Sequence, residues 1–317
     1  MSSSDFPTRQ LKQLEGHKGQ VHAVTYSNGG AEYVNLQILT GATDRAIRLF
    51  NASTCNHVQS YNAHVHEILD IAVSFDNARF ASGGGDKRVF LWDVATATTL
   101  HRYEGHTGRV EAVALGGEDD CTVISGGSDA KVHIWDTIGP PYKPIQTFAH
   151  AIDTVTSIKV IDKQIYAGSL DGKVYCYDIR MANIIIDVIA VPVTSVMPTM
   201  DNRAYIVTTT DSTIRMMSKK SGEMIQSFTA PGYINNSFRI RSTFGMEDMI
   251  VLGGSEAGEV FVWDVATGEE RHRLSPFKDD VYKAKKVVSA VAFCPVRPEW
   301  VSGGSDGTVT VWGVDGA

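Results

Sequence analysis

Four histidines of this chain stand in matching sequence settings, and each could serve as a metal ligand or a general base. They occur in Gly16-His17, Ala63-His64, Gly105-His106 and Ala149-His150. An Asp follows each of them, and Thr40, Ser82 and Ser125 lie four residues before three of these aspartates. Side chains of His, Ser and Asp could form a hydrolase triad, and His with Asp could hold a metal ion.

The recurrence of these residues argues against both kinds of site. One set contains His64, Ser82, Asp86 and Trp92, and a second contains His106, Ser125, Asp129 and Trp135. An enzyme needs one catalytic centre, whereas this combination returns in separate stretches of the chain. The sequence also has no phosphate-binding loop, no HExxH and no GxSxG motif. We therefore expect no catalytic site, no cofactor and no metal, and a protein that is not an enzyme.

The aspartates return at a nearly constant interval. Asp44, Asp86, Asp129, Asp171 and Asp211 follow one another in steps of 42, 43, 42 and 40 residues. A Gly- and Ser-rich turn precedes the strongest copies, and an aromatic residue such as Trp92 or Trp135 follows them. A period of about 40–45 residues is the signature of WD40 repeats. It predicts an all-β fold, a seven-bladed WD40 β-propeller.

Each repeat divides into four short strands, a to d. In the second repeat we expect strands at 68–74, 79–82, 88–93 and 99–103. The last repeat stops at Trp312 without a strand d, and residues 10–14 resemble a strand d without a blade. The amino-terminal strand should therefore pair into the last blade and close the ring. We assign residues 1–8 to an N-terminal tail and residues 9–315 to a single propeller.

Composition narrows the class of partner. The net charge is −7 and the pI is near 5.8, so no general basic field attracts nucleic acid or an anionic membrane. We expect protein partners, no membrane association and no direct nucleic-acid binding, with RNA binding through splicing complexes as a minor alternative. The four cysteines form no CxxC pair, and the N-terminus has no signal-peptide core. We expect a cytoplasmic and/or nuclear protein.

Blades five and six depart from the pattern. No Gly-His pair precedes Asp211, and Ala257 stands beside Glu256 where other repeats carry an Asp. We expect these two blades to lack the recurring polar residues and to be the looser part of the ring.

Several stretches resemble one particular family, the mitogen-activated protein kinase organizer, a small seven-bladed WD-repeat scaffold also associated with spliceosomes. The resemblance runs from Glu67-Ile68-Leu69-Asp70 through Ser74-Phe75-Asp76-Asn77 to Leu91-Trp92-Asp93-Val94, and returns in Tyr177-Asp178-Ile179-Arg180-Met181 and in the stretch 211–215. It implies a platform that assembles kinase-cascade or splicing components. A monomeric propeller within larger complexes is expected, and the sequence does not choose between signalling and splicing.

WD-repeat membership also implies roles for individual residues. The His, Ser, Asp and Trp of one repeat would form a buried hydrogen-bond chain, which satisfies a carboxylate that is otherwise costly to bury. Partners commonly dock on the top face, where residues flanking the first apolar residue of strand a should point. By register these positions are Gln20, His22, Glu67, Leu69, Arg109, Glu111, Thr154, Thr156, Pro192, Thr194, Ser237 and Arg239.

A second surface is suggested by Tyr177-Asp178-Ile179-Arg180. This segment resembles the W/Y-D-x-R ending of propellers that act as substrate receptors of cullin-RING ubiquitin ligases, where the Arg meets the ligase adaptor. Asp178 and Arg180 are therefore possible ligase-adaptor contacts, and the ligase role is an alternative to the scaffold role. The same two residues could instead only stabilise the turn after strand c.

Overall fold

A computed structural model describes residues 6–28, 36–140, 142–179, 183–277 and 286–314. Within these ranges the chain forms seven four-stranded antiparallel sheets, which are the blades of a β-propeller. The prediction of an all-β, seven-bladed propeller is confirmed. No helix in this part of the chain has the length and apolar character needed to cross a membrane; a short 3₁₀ turn spans Glu118–Asp120.

The strands follow in chain order, a to d within each blade. Blades 1 to 4 contain β2 Val21–Tyr26, β3 Gln37–Ala42, β4 Ile47–Asn51, β5 His57–Tyr61, β6 Ile68–Val73, β7 Arg79–Gly84, β8 Arg88–Asp93, β9 Thr99–Glu104, β10 Val110–Gly116, β11 Thr122–Gly127, β12 Val132–Asp136, β13 Gln146–Phe148, β14 Val155–Ile161, β15 Gln164–Ser169, β16 Lys173–Asp178 and β17 Asn183–Val188. Blades 5 to 7 contain β18 Val193–Pro198, β19 Ala204–Thr209, β20 Thr213–Ser218, β21 Met224–Phe228, β22 Ser242–Gly245, β23 Ile250–Gly254, β24 Val260–Asp264, β25 Glu270–Leu274, β26 Val288–Phe293, β27 Trp300–Gly304, β28 Val309–Gly313 and, as strand d of blade 7, β1 Arg9–Leu14.

The strands of blade 2 lie where the sequence predicted them, within two residues at each end. Strands b and c are buried because neighbouring blades cover both of their faces, so apolar and β-branched residues fill them. Strand d lies at the outer edge and is mostly exposed, although Tyr103 on it is buried.

The apolar cores lie between adjacent blades. Val89 and Leu91 of blade 2 belong to the same buried cluster as Val110 and Val113 of blade 3. The innermost strands β2, β6, β10, β14, β18, β22 and β26 contact one another in that order, and β26 contacts β2 again. Each blade therefore needs both neighbours to bury its apolar surface, which is the physical reason for a closed ring.

The ring closes through the amino terminus, as predicted. Strand β1 pairs antiparallel with β28, and the register runs from Arg9 opposite Gly313 to Leu14 opposite Val309. Packing continues into the segment predicted to be a tail. The buried Phe6 ring stacks on His272 and Trp300 at centroid distances of 5.3 and 6.0 Å.

Candidate functional site

Strand a of six blades begins with a β-bulge near the top face. In each, the pairing with strand b skips the residue that follows the first apolar residue. The skipped residues are His22, Leu69, Glu111, Thr156, Thr194 and Ser289. Because a bulge re-aims the side chain that it carries, these residues form an inner ring around the channel.

Three of the bulge residues carry hydroxyl groups that connect each blade to the next. Thr156 Oγ1 donates to the carbonyl of Val193 at 2.7 Å, and Thr194 Oγ1 donates to the carbonyl of Ile240 at 3.0 Å. Ser289 Oγ makes the corresponding bond, 2.7 Å long, to the first residue of β2. The bulges therefore hold neighbouring blades together at the centre of the ring.

This arrangement corrects part of the predicted partner surface. The structure buries Leu69, Thr156 and Thr194, at 2%, 5% and 3% exposure, so their side chains do not stand on an exposed rim. The bulge turns them toward the ring interior, where the two hydroxyl groups find carbonyl acceptors.

Two arginines of blade 6 extend across the centre of the ring. Arg239 donates to the carbonyls of Leu69, Glu111 and Thr156, the last at 3.1 Å. Arg241 donates to Asp70 Oδ1 at 2.6 Å and to the carbonyl of Leu69 at 2.8 Å. The two guanidinium groups thus tie blade 6 to blades 2, 3 and 4 across the channel.

The placement of these arginines also corrects the register of blade 6. The alignment of the repeats predicts Phe238 as the first apolar residue of strand a, with Ser237 and Arg239 beside it. The structure gives that place to the fully buried Ile240, so Arg239 and Arg241 flank it. The sequence did not predict Arg241 as a top-face position, because this blade has no Gly-His pair to fix its alignment. Two arginines on either side of a single isoleucine were nevertheless a sequence pattern that could have indicated the correct register.

Several ionisable side chains lie close together in the channel, where they are shielded from solvent. Burial would raise the pKa of the Asp70 carboxyl, but Arg241 and Arg239 hold that pKa below its ordinary value. Burial lowers the pKa of Lys159 and, together with the neighbouring Arg239, Arg241 and Arg109, lowers that of His22 to about 3. His22 is therefore neutral in the folded protein at physiological pH.

A smaller set of the predicted residues reaches solvent at the top face. The Arg109 side chain is 50% exposed, and its guanidinium lies 3.1 Å from Glu67 Oε1 and 3.3 Å from Glu111 Oε1. Gln20 and Thr154 are half-buried on the same rim. Pro192 and Ser237 are also exposed, and the charged part of the accessible surface is the cluster around Arg109 at the junction of blades 2 and 3.

In blade 2 and again in blade 3, the structure brings together the four residues of the predicted polar set. His64 Nδ1 lies 2.9 Å from Asp86 Oδ2 and His64 Nε2 lies 2.8 Å from Ser82 Oγ, which accepts the Trp92 indole N–H at 2.9 Å. In blade 3 the matching distances are 2.9, 2.8 and 2.8 Å for His106 to Asp129, His106 to Ser125, and Trp135 to Ser125. Every side chain is buried in a hydrogen-bond chain, so none is exposed as a nucleophile or a base.

Blade 1 keeps the pattern, with His17 bonded to Asp44 at 3.0 Å and to Thr40 at 2.7 Å, whereas blades 4, 5 and 6 hold their acids with other residues. In blade 4 His150 is exposed, and the hydroxyl of Tyr175 donates to Asp171 Oδ2 at 2.6 Å instead. In blade 5 Asp211 accepts from Thr209 Oγ1 at 2.6 Å and also pairs with Arg215. Blades 5 and 6 lack the recurring residues as expected, but other bonds replace them.

Blade 6 stabilises its buried acid through the main chain. Glu256 Oε1 accepts the backbone N–H groups of Asn236, at 2.7 Å, and Phe238, at 3.0 Å. The buried Asn235 side chain donates to Thr194 Oγ1 at 3.2 Å. Substituted polar groups therefore do not by themselves make a blade loose, because backbone donors take over from the missing histidine.

The proposed ligase-adaptor contact is only partly described. Asp178 ends strand β16 and accepts a hydrogen bond from Gln164 Nε2 at 3.3 Å. Arg180, which carries the resemblance, lies outside the described residues. The ligase-receptor hypothesis therefore stays a prediction.

A groove on the opposite face was not predicted from the sequence. It has a volume of about 1050 Å³, and its apolar lining comes from Ile185 of blade 4 and from Met200, Met216 and Ile225 of blade 5. Charged residues share the lining: Asp201, Arg203, Lys219, Lys220, Glu247 and Asp248. Met200 is 76% exposed. In the sequence these residues look like the apolar residues of buried strands, so their position at an outer edge could not be predicted.

Comparison with known proteins agrees with this architecture. The family described as "WD domain, G-beta repeat" matches residues 8–51, 55–93, 97–136 and 280–313. WD repeat domain-containing protein 83 of Rattus norvegicus is 33% identical over 294 residues, which are 93% of this chain and 89% of the relative. The human protein of the same name shows the same identity and coverage. A Dictyostelium discoideum homolog is 24% identical over 330 residues, 95% of this chain and 97% of its own.

The chain belongs to the WD repeat domain-containing protein 83 family. This family is the mitogen-activated protein kinase organizer that the sequence resembles, so that identification is confirmed. WD40 propellers mediate protein–protein interactions and are typically non-catalytic, and membership supports an interaction scaffold.

Proposed function

We propose that this WD repeat domain-containing protein 83 relative is a non-catalytic scaffold that assembles mitogen-activated protein kinase cascade components, pre-mRNA splicing components, or both. One observation carries the proposal. Arg109, half exposed on the top face, pairs with Glu67 and Glu111, so the accessible rim there is charged. A rim of this kind suits a protein or peptide partner. We place the protein in the cytoplasm, the nucleus, or both.

The partner surface that we propose centres on Arg109, with Glu67, Glu111, Gln20 and Thr154 around it. Arg109 pairs with Glu67 across the junction of blades 2 and 3, and with Glu111 within blade 3. Exposed pairs of this type add little to folding, so their charges are available to choose a partner.

The test is charge reversal at this rim. Arg109→Glu and the double exchange Glu67→Arg with Arg109→Glu both invert the charge pattern, and the double exchange keeps an ion pair between the two positions. We expect each variant to recover its partners about tenfold less well, the effect of losing one well-placed contact, with an unchanged melting temperature. Affinity purification from the native cell with quantitative mass spectrometry measures the recovery and separates kinases from splicing factors.

Arg203→Glu is the matched control, because this side chain is 86% exposed on the opposite face. It should leave recovery of the partners unchanged. Full recovery of kinases and splicing factors by both rim variants would contradict the proposed surface, and recovery of neither class by the wild-type protein would contradict the proposed function.

A further inference from the structure

Blade 3 contains a group of buried side chains that differs from its counterparts in the other blades. His106, Asp129 and His133 each present a ligand atom, and these three atoms lie within 4.8 Å of one another. His133 is on strand β12, two residues before Trp135, and its ring meets that of His106 at a centroid distance of 4.4 Å and an angle of 61°.

The same position in other blades is occupied by residues that cannot bind a metal ion in this way. In blade 2 it is Phe90, whose ring meets His64 at 4.5 Å and 76°. In blade 1 it is Arg48, which pairs with Asp44 at 2.7 Å. Among the described residues, a second imidazole faces a His and Asp pair in blade 3 alone.

The His133 side chain has an incomplete set of partners. The residue is 5% exposed, and its Nδ1 lies 2.8 Å from Thr147 Oγ1. Its Nε2 is buried without a hydrogen-bond partner among the described residues. A buried polar atom of this kind is rare in folded proteins and needs a reason, such as an ion that completes it.

We propose that His106, Asp129 and His133 form a binding site for a borderline divalent transition-metal ion of the zinc class. Two imidazole nitrogens and a carboxylate oxygen are ligands that such ions favour, whereas calcium and magnesium prefer oxygen ligands alone. Around Zn²⁺ at about 2.0–2.2 Å, ligand atoms lie about 3.3–3.6 Å apart, so the three groups need to close by roughly 1 Å.

The existing hydrogen bonds allow this exchange. His106 Nδ1 now bonds to Asp129, and its Nε2 lies 2.8 Å from Ser125 Oγ. On metal binding the ring proton moves from Nδ1 to Nε2 and the Nδ1 lone pair turns to the metal. Ser125 Oγ then accepts the N–H groups of both His106 and Trp135 with its two lone pairs, and its own hydroxyl hydrogen gives up its bond to Nε2. The ring stays neutral, as a metal ligand must be. Asp129 keeps its backbone donor Thr107, at 2.9 Å, while a carboxylate oxygen binds the ion.

The test uses Co²⁺ as a spectroscopic probe of the full chain, purified without a histidine tag. We expect one equivalent of Co²⁺ with visible ligand-field absorption, displaced by Zn²⁺, and a higher melting temperature with Zn²⁺ than with Mg²⁺. His133→Phe copies the residue of blade 2, so it should fold and lose the absorption. Phe90→His places the same trio in blade 2 and should add a second equivalent.

His66→Gln is the control, since His66 is exposed on the surface and should leave the absorption unchanged. If His133→Phe melts abnormally, His133→Gln serves as the second variant at that position. Equal Co²⁺ absorption in the wild type and the folded His133 variant, loss of absorption in His66→Gln, or no stoichiometric binding by the wild type would overturn the proposal. The proposal does not depend on the scaffold function.

Discussion

The histidines of this protein lie in opposite electrostatic settings: some contact a carboxylate, and one lies among arginines. His64 and His106 each contact a buried carboxylate, and these contacts help to hold the pKa of Asp86 below its ordinary range and that of Asp129 at about 2, against burial that would raise both. His22 instead lies in the channel, where burial first, and then the charges of Arg239, Arg241 and Arg109, lower its pKa. Residue type therefore does not determine what a histidine contributes; its blade position does.

The setting of His22 predicts a pH dependence of stability. Its pKa is lowered from 6.5 to about 3, first by burial and then by the three arginines. Between these values the unfolded chain binds a proton that the folded protein does not, so stability falls as the pH drops below 6.5. We expect His22→Gln to reduce the loss of unfolding free energy between pH 6.5 and about 4.5 by about 2 kcal/mol, measured by urea denaturation.

The exposed His150→Gln is the control for this titration and should leave the slope of the wild type unchanged. A His22→Gln variant whose stability falls as steeply as that of the wild type over this interval would show that His22 is not desolvated in the folded protein.

At the scale of the element, glycines of strand b set the distance between blades. A Cβ atom built on Gly83 would lie 2.6 Å from Val110 Cγ1 and 2.9 Å from Val113 Cγ1 of the next blade. Gly41, Gly126, Gly168 and Gly303 make equally close approaches to the first apolar residue of strand a in the blade that follows them. The recurring Gly-rich turn is therefore a packing requirement as well as a turn.

Gly83→Ala should consequently force blades 2 and 3 apart. We expect a loss of about 1–3 kcal/mol in the free energy of unfolding, because overpacking a close contact shifts side chains and backbone. Gly139→Ala is the control, since its Cβ would meet the end of the flexible Asp136 side chain, whose Oδ2 lies at 2.7 Å. Chemical denaturation measures both variants, and equal stability of the two would contradict the packing argument.

The elements that sequence reasoning predicted well are those with a strong repeat signal. The strands of blade 2 and the pairing of β1 with β28 follow from the turn, the aromatic residue and the missing last strand. Arg241 was not predictable in the same way, because nothing in blade 6 fixes the register around Ile240. The Tyr175 bond to Asp171 was also missed, since tyrosine on strand c reads as an ordinary core residue until its hydroxyl is placed.

On the scale of the whole molecule, two different connections make the ring one unit. The blade-to-blade hydrogen bonds of the bulge residues and the interblade cores join neighbours only. Arg239 and Arg241 add bonds that cross the centre, from blade 6 to blades 2, 3 and 4. Blade 6 is thus joined both to its neighbours and across the channel, whereas the fourth strand of blade 7 comes from the amino terminus through the pairing of β1 with β28.

Removal of residues 9–15 should therefore destabilise the entire ring. The deletion exposes the edge of β28 and removes Leu14, which is 3% exposed in the cluster that contains Val309 and Val311. We expect a loss of more than about 3 kcal/mol and a single cooperative transition at lower temperature, since a large buried side chain alone contributes 2–5 kcal/mol.

A control substitution and a peptide rescue accompany this deletion. Lys12→Ala changes an exposed side chain of the same strand and should shift stability by less than about 0.5 kcal/mol, because β1 keeps its backbone pairing. A synthetic peptide of residues 6–15 added to the truncated protein should restore the melting temperature, since it supplies the missing strand joined, as in the wild type, to Phe6, whose ring stacks on Trp300. A truncated protein that melts like the wild type, with or without the peptide, would mean that the ring is held by its interblade cores and the channel arginines alone.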